Sequence, residues 1–262
     1  MEQHEVSSLS SSFGSAAAAY AEHRPDYAPD AVRWALDPAP RSGPVLRVLD
    51  LGAGTGKLTA VLAASGVDVV AVEPDPAMRA ELSRELPDVR ALAGNAENIP
   101  LPDGSVDAVV AGNAMHWFDM AAAGPEIARV LVPGGILSGL WNVLDDRVTW
   151  ITGLARVAGS AAVGPRDTVG AWRAATADLY LPRTGAARFG AAEQNEFAHR
   201  QQRTADSLVA ALATRAGMLV MPDAERRSAL ARIRAYLAAR EETADGEFTL
   251  PMATGVLRTR RL

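Results

Sequence analysis

Apolar residues in the first half of the chain fall into short continuous runs separated by stretches with one apolar face. Residues 45–49 form such a run, ending at Asp50 and a glycine-rich bend, and residues 58–65 follow as an amphipathic stretch. The Val-rich run 67–72 has the continuous pattern of a strand covered on both faces. Residues 76–86 predict a helix, 89–93 a third strand, and 94–105 a loop closed by the turn Pro102-Asp103-Gly104-Ser105. Residues 106–111 predict a fourth strand, 125–131 a helix and 135–141 a fifth strand. This alternation predicts a parallel sheet wrapped by helices, with right-handed crossovers. Residues 143–203 are less regular, with two helices and a strand near 196–201. Helices follow at 206–216 and 223–239, the second opening at Pro222-Asp223, and 247–250 reads as a late edge strand.

Composition narrows the chemistry. The chain has 262 residues and no Cys, which excludes disulfides, thiolate nucleophiles, thiolate zinc sites and ordinary iron–sulfur clusters. A net charge of −5 provides no overall basic field for nucleic acid or an anionic membrane. No segment reaches the ~20 apolar residues that span a bilayer, and Glu2 and Glu5 stand where a signal peptide needs basic residues. A soluble cytoplasmic protein without nucleic-acid or membrane partners is the expectation. His4, His23 and His199 lack partners at metal-ligand spacing, so no metal site is expected.

The bend Asp50-Leu51-Gly52-Ala53-Gly54-Thr55-Gly56 lies between a predicted strand and a predicted helix. Its glycines permit a tight turn and close backbone approach to a ligand. A phosphate-binding P-loop fails, because only three residues separate Gly52 from Gly56 and Leu58 follows Lys57. A dinucleotide fingerprint needs G-x-G-x-x-G, whereas the sequence reads G-x-G-x-G. The third reading is a strand-end turn that holds S-adenosylmethionine. Glu73 closes the second strand, where a carboxylate can accept both hydroxyls of a ribose; the alternative is a solvated acid before Pro74 and Asp75.

Val-Leu-Asp-Leu-Gly-Ala-Gly-Thr-Gly-Lys-Leu-Thr, residues 48–59, resembles motif I of the class I S-adenosylmethionine-dependent methyltransferases. Glu73, the loop Gly94-Asn95-Ala96-Glu97-Asn98-Ile99-Pro100 and the segment Gly112-Asn113-Ala114-Met115-His116-Trp117-Phe118 follow in that family's order. The last segment, Pro133-Gly134-Gly135 and the stretch from Phe13 through Tyr20, Arg24-Pro25 and Tyr27 are similar to small-molecule enzymes like trans-aconitate methyltransferase. The resemblance is strong over about residues 13–142. It implies a Rossmann-like, doubly wound, mostly parallel seven-stranded α/β sheet with helices on both faces. It further implies an N-terminal helical cap over residues 1–40 and a methyltransferase domain over 41–262, with 143–203 contributing a substrate lid. The implied cofactor residues are Tyr20, Arg24, Asp50, Gly52, Ala53, Gly54, Thr55, Gly56, Glu73, Pro74, Met78, Asn95, Ala96, Glu97, Asn113 and Ala114. Asn95 stands where the family commonly has Asp, and its side-chain oxygen can still accept from an adenine amino group.

Methyl transfer from a sulfonium is an in-line displacement in which alignment and exclusion of water supply most of the acceleration. A base is needed only where the acceptor must lose a proton. His116 is the candidate for that role, the alternatives being positioning or packing beside Trp117. Trp117, Trp141, Asn142 and Trp150 are candidates for the acceptor pocket. The resemblance favours an oxygen acceptor, carboxylate or hydroxyl, on a small molecule. Three other readings stay open: an S-adenosylmethionine-binding enzyme of cyclisation or decarboxylation, an NAD(P)-dependent oxidoreductase, and a catalytically silent binding or regulatory module.

Overall fold

The computed structural model describes residues 17–177, 179, 181 and 188–262. The N-terminal residues of the cap expectation, Phe13 among them, lie outside the described residues. The described chain opens with α1 (Ala17–His23) and α2 (Pro29–Leu36). Then follow β1 (Arg47–Leu51), α3 (Lys57–Ala64), β2 (Asp68–Val72), α4 (Pro76–Glu85), β3 (Arg90–Leu92) and β4 (Val106–Gly112). After a single 3₁₀ turn (Met115–Trp117) come α5 (Met120–Val130), β5 (Leu131–Leu144), α6 (Thr149–Ala158) and α7 (Trp172–Ala177). The chain ends with β6 (Glu193–Thr204), α8 (Ala205–Ala213), α9 (Ala216–Leu219), α10 (Asp223–Ala238) and β7 (Glu247–Arg260).

Seven strands form one sheet in the order β3-β2-β1-β4-β5-β7-β6. The first five are parallel, and β7 runs antiparallel to both β5 and β6. Successive strand residues point to opposite faces, and the core divides accordingly. Leu49, Val109, Ala111, Leu137 and Leu257 pack with Met120, Ala123 and Ile127 of α5 on one face. Val48, Ala108, Val110, Ile136 and Val256 pack with α2 and α3 on the other. A separate apolar cluster joins α6, α8 and α10 to Leu144, Phe248, Leu250 and Met252. Since β5 ends at Leu144, this helical cluster stands at the end of the sheet where the parallel strands terminate. Ligands of open α/β sheets bind beyond that end.

The structure corrects several expectations. Helix α5 begins at Met120 rather than at Pro125, because the Asp119 side chain caps it by accepting from the Ala121 N–H. Pro125 is accommodated inside the helix. Pro133-Gly134-Gly135 lies within β5, where the pairing with β4 shifts register between Val106 and Ala108 and Gly134 takes φ 77°. The late strand β7 has 14 residues and lies inside the sheet; β6 is the edge. The helix expected at 206–216 is two, separated at Thr214, whose hydroxyl donates to the Ala211 carbonyl at 2.7 Å. Residues 193–203 of the expected lid pair with β7.

The N-terminal segment is latched to the sheet by buried polar contacts. Asn142 Nδ2 donates to the Asp26 carbonyl at 2.7 Å. Thr254 donates to Asn142 Oδ1 and accepts from the Ala28 N–H. Arg203 reaches the His23 carbonyl, and Arg24 donates twice to Thr214.

Two indoles pack together within the core cluster on one face of the sheet. Trp141 and Trp172 stack at 6.3 Å, and a Cβ at Gly255 would lie 2.6 Å from the Trp172 ring. Gly255→Ala is therefore expected to destabilise the fold by about 1–3 kcal/mol, the usual cost of overpacking. Gly43→Ala, where nothing lies within 4 Å, is expected to be near neutral. Urea unfolding of the two variants checks the contrast.

Candidate active site

The turn after β1 folds onto the end of β2. The amides of Gly52 and Ala53 both donate to the Val72 carbonyl, at 2.9 and 3.1 Å. Gly52 and Gly54 take φ 72° and 59°, a backbone region that glycine enters without steric cost. Glu73 then lies beside the turn, its carboxylate accepting from the Gly54 N–H at 2.8 Å and the Asp75 N–H at 2.9 Å. Asp75 in turn caps α4 through Ala77 and Met78, with Pro76 in the first helical turn.

Two spaces meet at this point. A small recess of about 30 Å³ is lined by Tyr20, Arg24, Asp50, Gly52, Ala53, Gly54, Thr55 and Asn113, among others. It opens beside a cavity of about 900 Å³, within the range of small-molecule sites. Glu73, Pro74, Met78, Asn95, Ala96, Glu97, Asn113 and Ala114 line the large cavity. So do His116, Trp117 and Trp141. The four sequence segments singled out above therefore converge on one cleft.

Charge in the recess is unusual. Asp50 is fully buried, accepts from the Thr59 hydroxyl at 2.6 Å, and is pushed up to about 7 by burial, with the nearby Glu73 adding to the effect. Asp50 Oδ1 and Thr55 Oγ1 are buried without a hydrogen-bond partner among the described residues. Burial also raises Glu73. Asn113 holds φ 51°, rare outside glycine, and its Nδ2 donates to the Tyr27 hydroxyl at 3.0 Å. The guanidinium of Arg24 lies over the Tyr20 ring.

Several expected site residues have other work. Trp150 belongs to the helical cluster, edge-on to Phe248, and does not line the cavity. Asn142 is buried in the latch to Asp26 and Thr254. Gly56 is a packing position, since a Cβ there would lie 3.0 Å from Leu82 and 3.1 Å from Leu86 of α4 and its connection. Glu97 lines the cavity, but one oxygen accepts from the Asp119 N–H, tying its loop to the start of α5. His116 does not fit the general-base expectation. Trp141 Nε1–H donates to His116 Nδ1 at 3.3 Å, so the neutral ring carries its proton on Nε2. Burial, followed by the fields of Arg166, Arg215 and Arg24, lowers the ring to about 3, far below the pH at which a base works best.

The far wall of the cavity was not anticipated. Ser160, Ala161, residues 164–167 and residues 215–217 line it, bringing Arg166 and Arg215 toward His116, and Phe118 joins the aromatic side. The turn sequence Gly164-Pro165-Arg166-Asp167 carried a readable signal for a tight loop, but nothing local to Arg215 points across the chain to it.

A methyltransferase-domain family profile matches residues 49–138, spanning β1 through most of β5. An uncharacterized methyltransferase of Mycobacterium tuberculosis is 41% identical over 251 residues, covering 95% of this chain and 96% of that one. The chain belongs to the class I S-adenosylmethionine-dependent methyltransferases. A demethylmenaquinone methyltransferase of Beutenbergia cavernae is 47% identical over 92 residues, 35% of this methyltransferase and 38% of its own length. A solved structure from Anaeromyxobacter dehalogenans, assigned to the type II methyltransferases, is 27% identical with a TM-score of 0.58. That match covers 90% of this chain and 96% of the other. The methyltransferase is Rossmann-like in fold and uses S-adenosylmethionine as its cofactor. Among the described residues there is no cluster of three metal-ligating side chains and no helix long and apolar enough to cross a membrane.

The buried Asp50 makes stability pH-dependent. Its folded value of about 7 lies above the ordinary 3.8, so the folded chain keeps that proton longer than the unfolded chain. The associated stability is complete below pH 4 and is lost as pH rises through about 7, by up to roughly 4 kcal/mol. Asp50→Asn is expected to lack this part of the decline. Urea midpoints of the cofactor-free wild type and variant between pH 4 and 8 measure the difference, and parallel profiles would refute the assignment.

Proposed function

We propose that the recess and the adjoining lip of the cavity hold S-adenosylmethionine, and that the larger chamber presents a small-molecule acceptor oxygen to it. The observation that carries this reading is the Glu73 carboxylate, fixed by two backbone amides at the junction of the glycine turn and α4. Each oxygen spends one lone pair on an N–H and keeps another for a ribose hydroxyl. Asn95 and Ala96 meet the adenine edge, and Met78 with Pro74 its face. Tyr20, Arg24, Gly52, Gly54 and Asn113 surround the amino-acid end. The unpartnered Asp50 Oδ1 and Thr55 Oγ1 suit a cationic, hydrogen-bond-donating ligand group. Among the described residues, 17–40 act as the cap over this end, and of the lid expected from 143–203 the part that lines the cavity is Ser160, Ala161 and residues 164–167.

When bound, the cofactor supplies an electrophilic methyl group. The protein's own residues position the acceptor and keep water out. Trp117, Phe118 and Trp141 give the chamber an apolar side, while His116 Nε2–H offers a donor rather than a base. An acceptor that is already nucleophilic at neutral pH, such as a carboxylate oxygen, fits a chamber without a competent base.

Glu73→Ala is expected to weaken binding of S-adenosylhomocysteine by about 1.5–3 kcal/mol, the scale of charged hydrogen bonds. Isothermal titration measures this, with NADH as the comparison ligand. Undiminished affinity in a folded variant would remove Glu73 from the site. For His116→Gln, an amide that keeps a donor, turnover is expected to survive without a new inflection in the pH–rate profile between 5 and 8. A collapse of turnover restored only at high pH would return the base role to His116.

A further inference from the structure

The residues lining the large cavity are sorted by charge. Glu73, Asp75, Glu97 and Asp119 lie among the residues of the nucleoside side, whereas the opposite wall brings Arg166 and Arg215 near His116. These two guanidinium groups are not equivalent. Arg215 Nη1 is 3.0 Å from Asp167 Oδ1 and is neutralised by it. Arg166 makes no hydrogen bond or ion pair with another described residue, yet it sits on a braced loop. Asp167 Oδ2 accepts from the Gly164 N–H at 2.7 Å, the Asp167 N–H donates back to the Gly164 carbonyl, and the Asp167 carbonyl accepts from the Leu144 N–H at the end of β5. Behind the loop, Gly217 lies so close to Ala161 that a Cβ there would stand 2.8 Å from its backbone. The result is an unpaired guanidinium carried on a braced loop, lining the same cavity as His116, Trp117 and Trp141.

We infer that Arg166 anchors a carboxylate of the acceptor, distinct from the oxygen that is methylated, so that the acceptor of this methyltransferase is an apolar or aromatic molecule bearing a carboxylate at its far end. The inference rests on the cofactor reading above, because it takes the glycine-turn side as the cofactor's and leaves the Arg166 wall to the acceptor. Arg24 also lines the cavity and donates to Thr214, but it is given to the cofactor's amino-acid end, so on the far wall the guanidinium of Arg166 is left to match one negative charge in a planar, bidentate geometry, which favours a carboxylate over a dianionic phosphate. The neutral His116 Nε2–H adds a second donor beside it without adding charge. Asp167 is a positioning residue, acting through the loop that carries Arg166.

The test uses the full-length protein and two titrations. Binding of S-adenosylhomocysteine is measured first; its absence in the wild type would overturn the cofactor reading and this inference with it. The S-adenosylhomocysteine-loaded protein is then titrated with trans-cinnamate, with its uncharged analogue cinnamamide and with phenyl phosphate, followed by calorimetry and tryptophan fluorescence. The acid is expected to bind at least tenfold more tightly than the amide and more tightly than the phosphate. Arg166→Gln should erase the preference for the acid while leaving S-adenosylhomocysteine affinity within twofold, and Arg166→Lys should retain part of it. Equal affinity for acid and amide, tighter binding of the phosphate, no binding of any probe, or a preference that survives in Arg166→Gln overturns the inference even where S-adenosylhomocysteine binds.

Discussion

Two backbone amides converge on one carboxylate, and the site is assembled around that convergence. The Glu73 side chain is buried and would be costly to ionise there without donors. The amides of Gly54 and Asp75 provide them, and in doing so they join the end of β1 to the start of α4. The same contact fixes the glycine turn against β2, where Gly52 and Ala53 share the Val72 carbonyl. A turn held at both ends in this way needs no ligand to define its shape, and binding then costs less ordering.

From that fixed point the cavity runs across the ends of the parallel strands toward a wall built from distant parts of the chain. Helix α1 and the following segment are held down by Asn142, Thr254 and Thr214, so the covering element is part of the sheet's own polar network. His116, half-buried beside Trp117, accepts at Nδ1 from Trp141 Nε1–H, which leaves a neutral donor at Nε2 on the cavity wall. The site is thus suited to orienting an acceptor rather than to moving its proton. This agrees with a reaction in which alignment supplies most of the acceleration.

The glycine-turn side of the cavity was legible because its signals are local. A strand, a glycine turn and a helix are contiguous from Val48 to Thr59, and Glu73 follows one crossover later, so chain order alone brings them together. The far wall of the cavity was not legible, because it depends on pairings between residues far apart in sequence. The length of β7 is set by its register with both β5 and β6. Trp141 and Trp150 are both buried, and only the packing of the helical cluster around Phe248 decides that Trp150 joins that cluster while Trp141 also lines the cavity. Pro125 looked like a helix start by its residue type; the cap at Asp119, itself fixed by Glu97 from another loop, moves the start upstream. Gly56 had the right spacing for a ligand contact and is instead required by Leu82 and Leu86.

The close approach of Gly217 to the backbone of Ala161 joins two parts of the chain that are more than fifty residues apart. A Cβ at position 217 would stand 2.8 Å from that backbone, so the far wall keeps its present spacing only while this position carries no side chain.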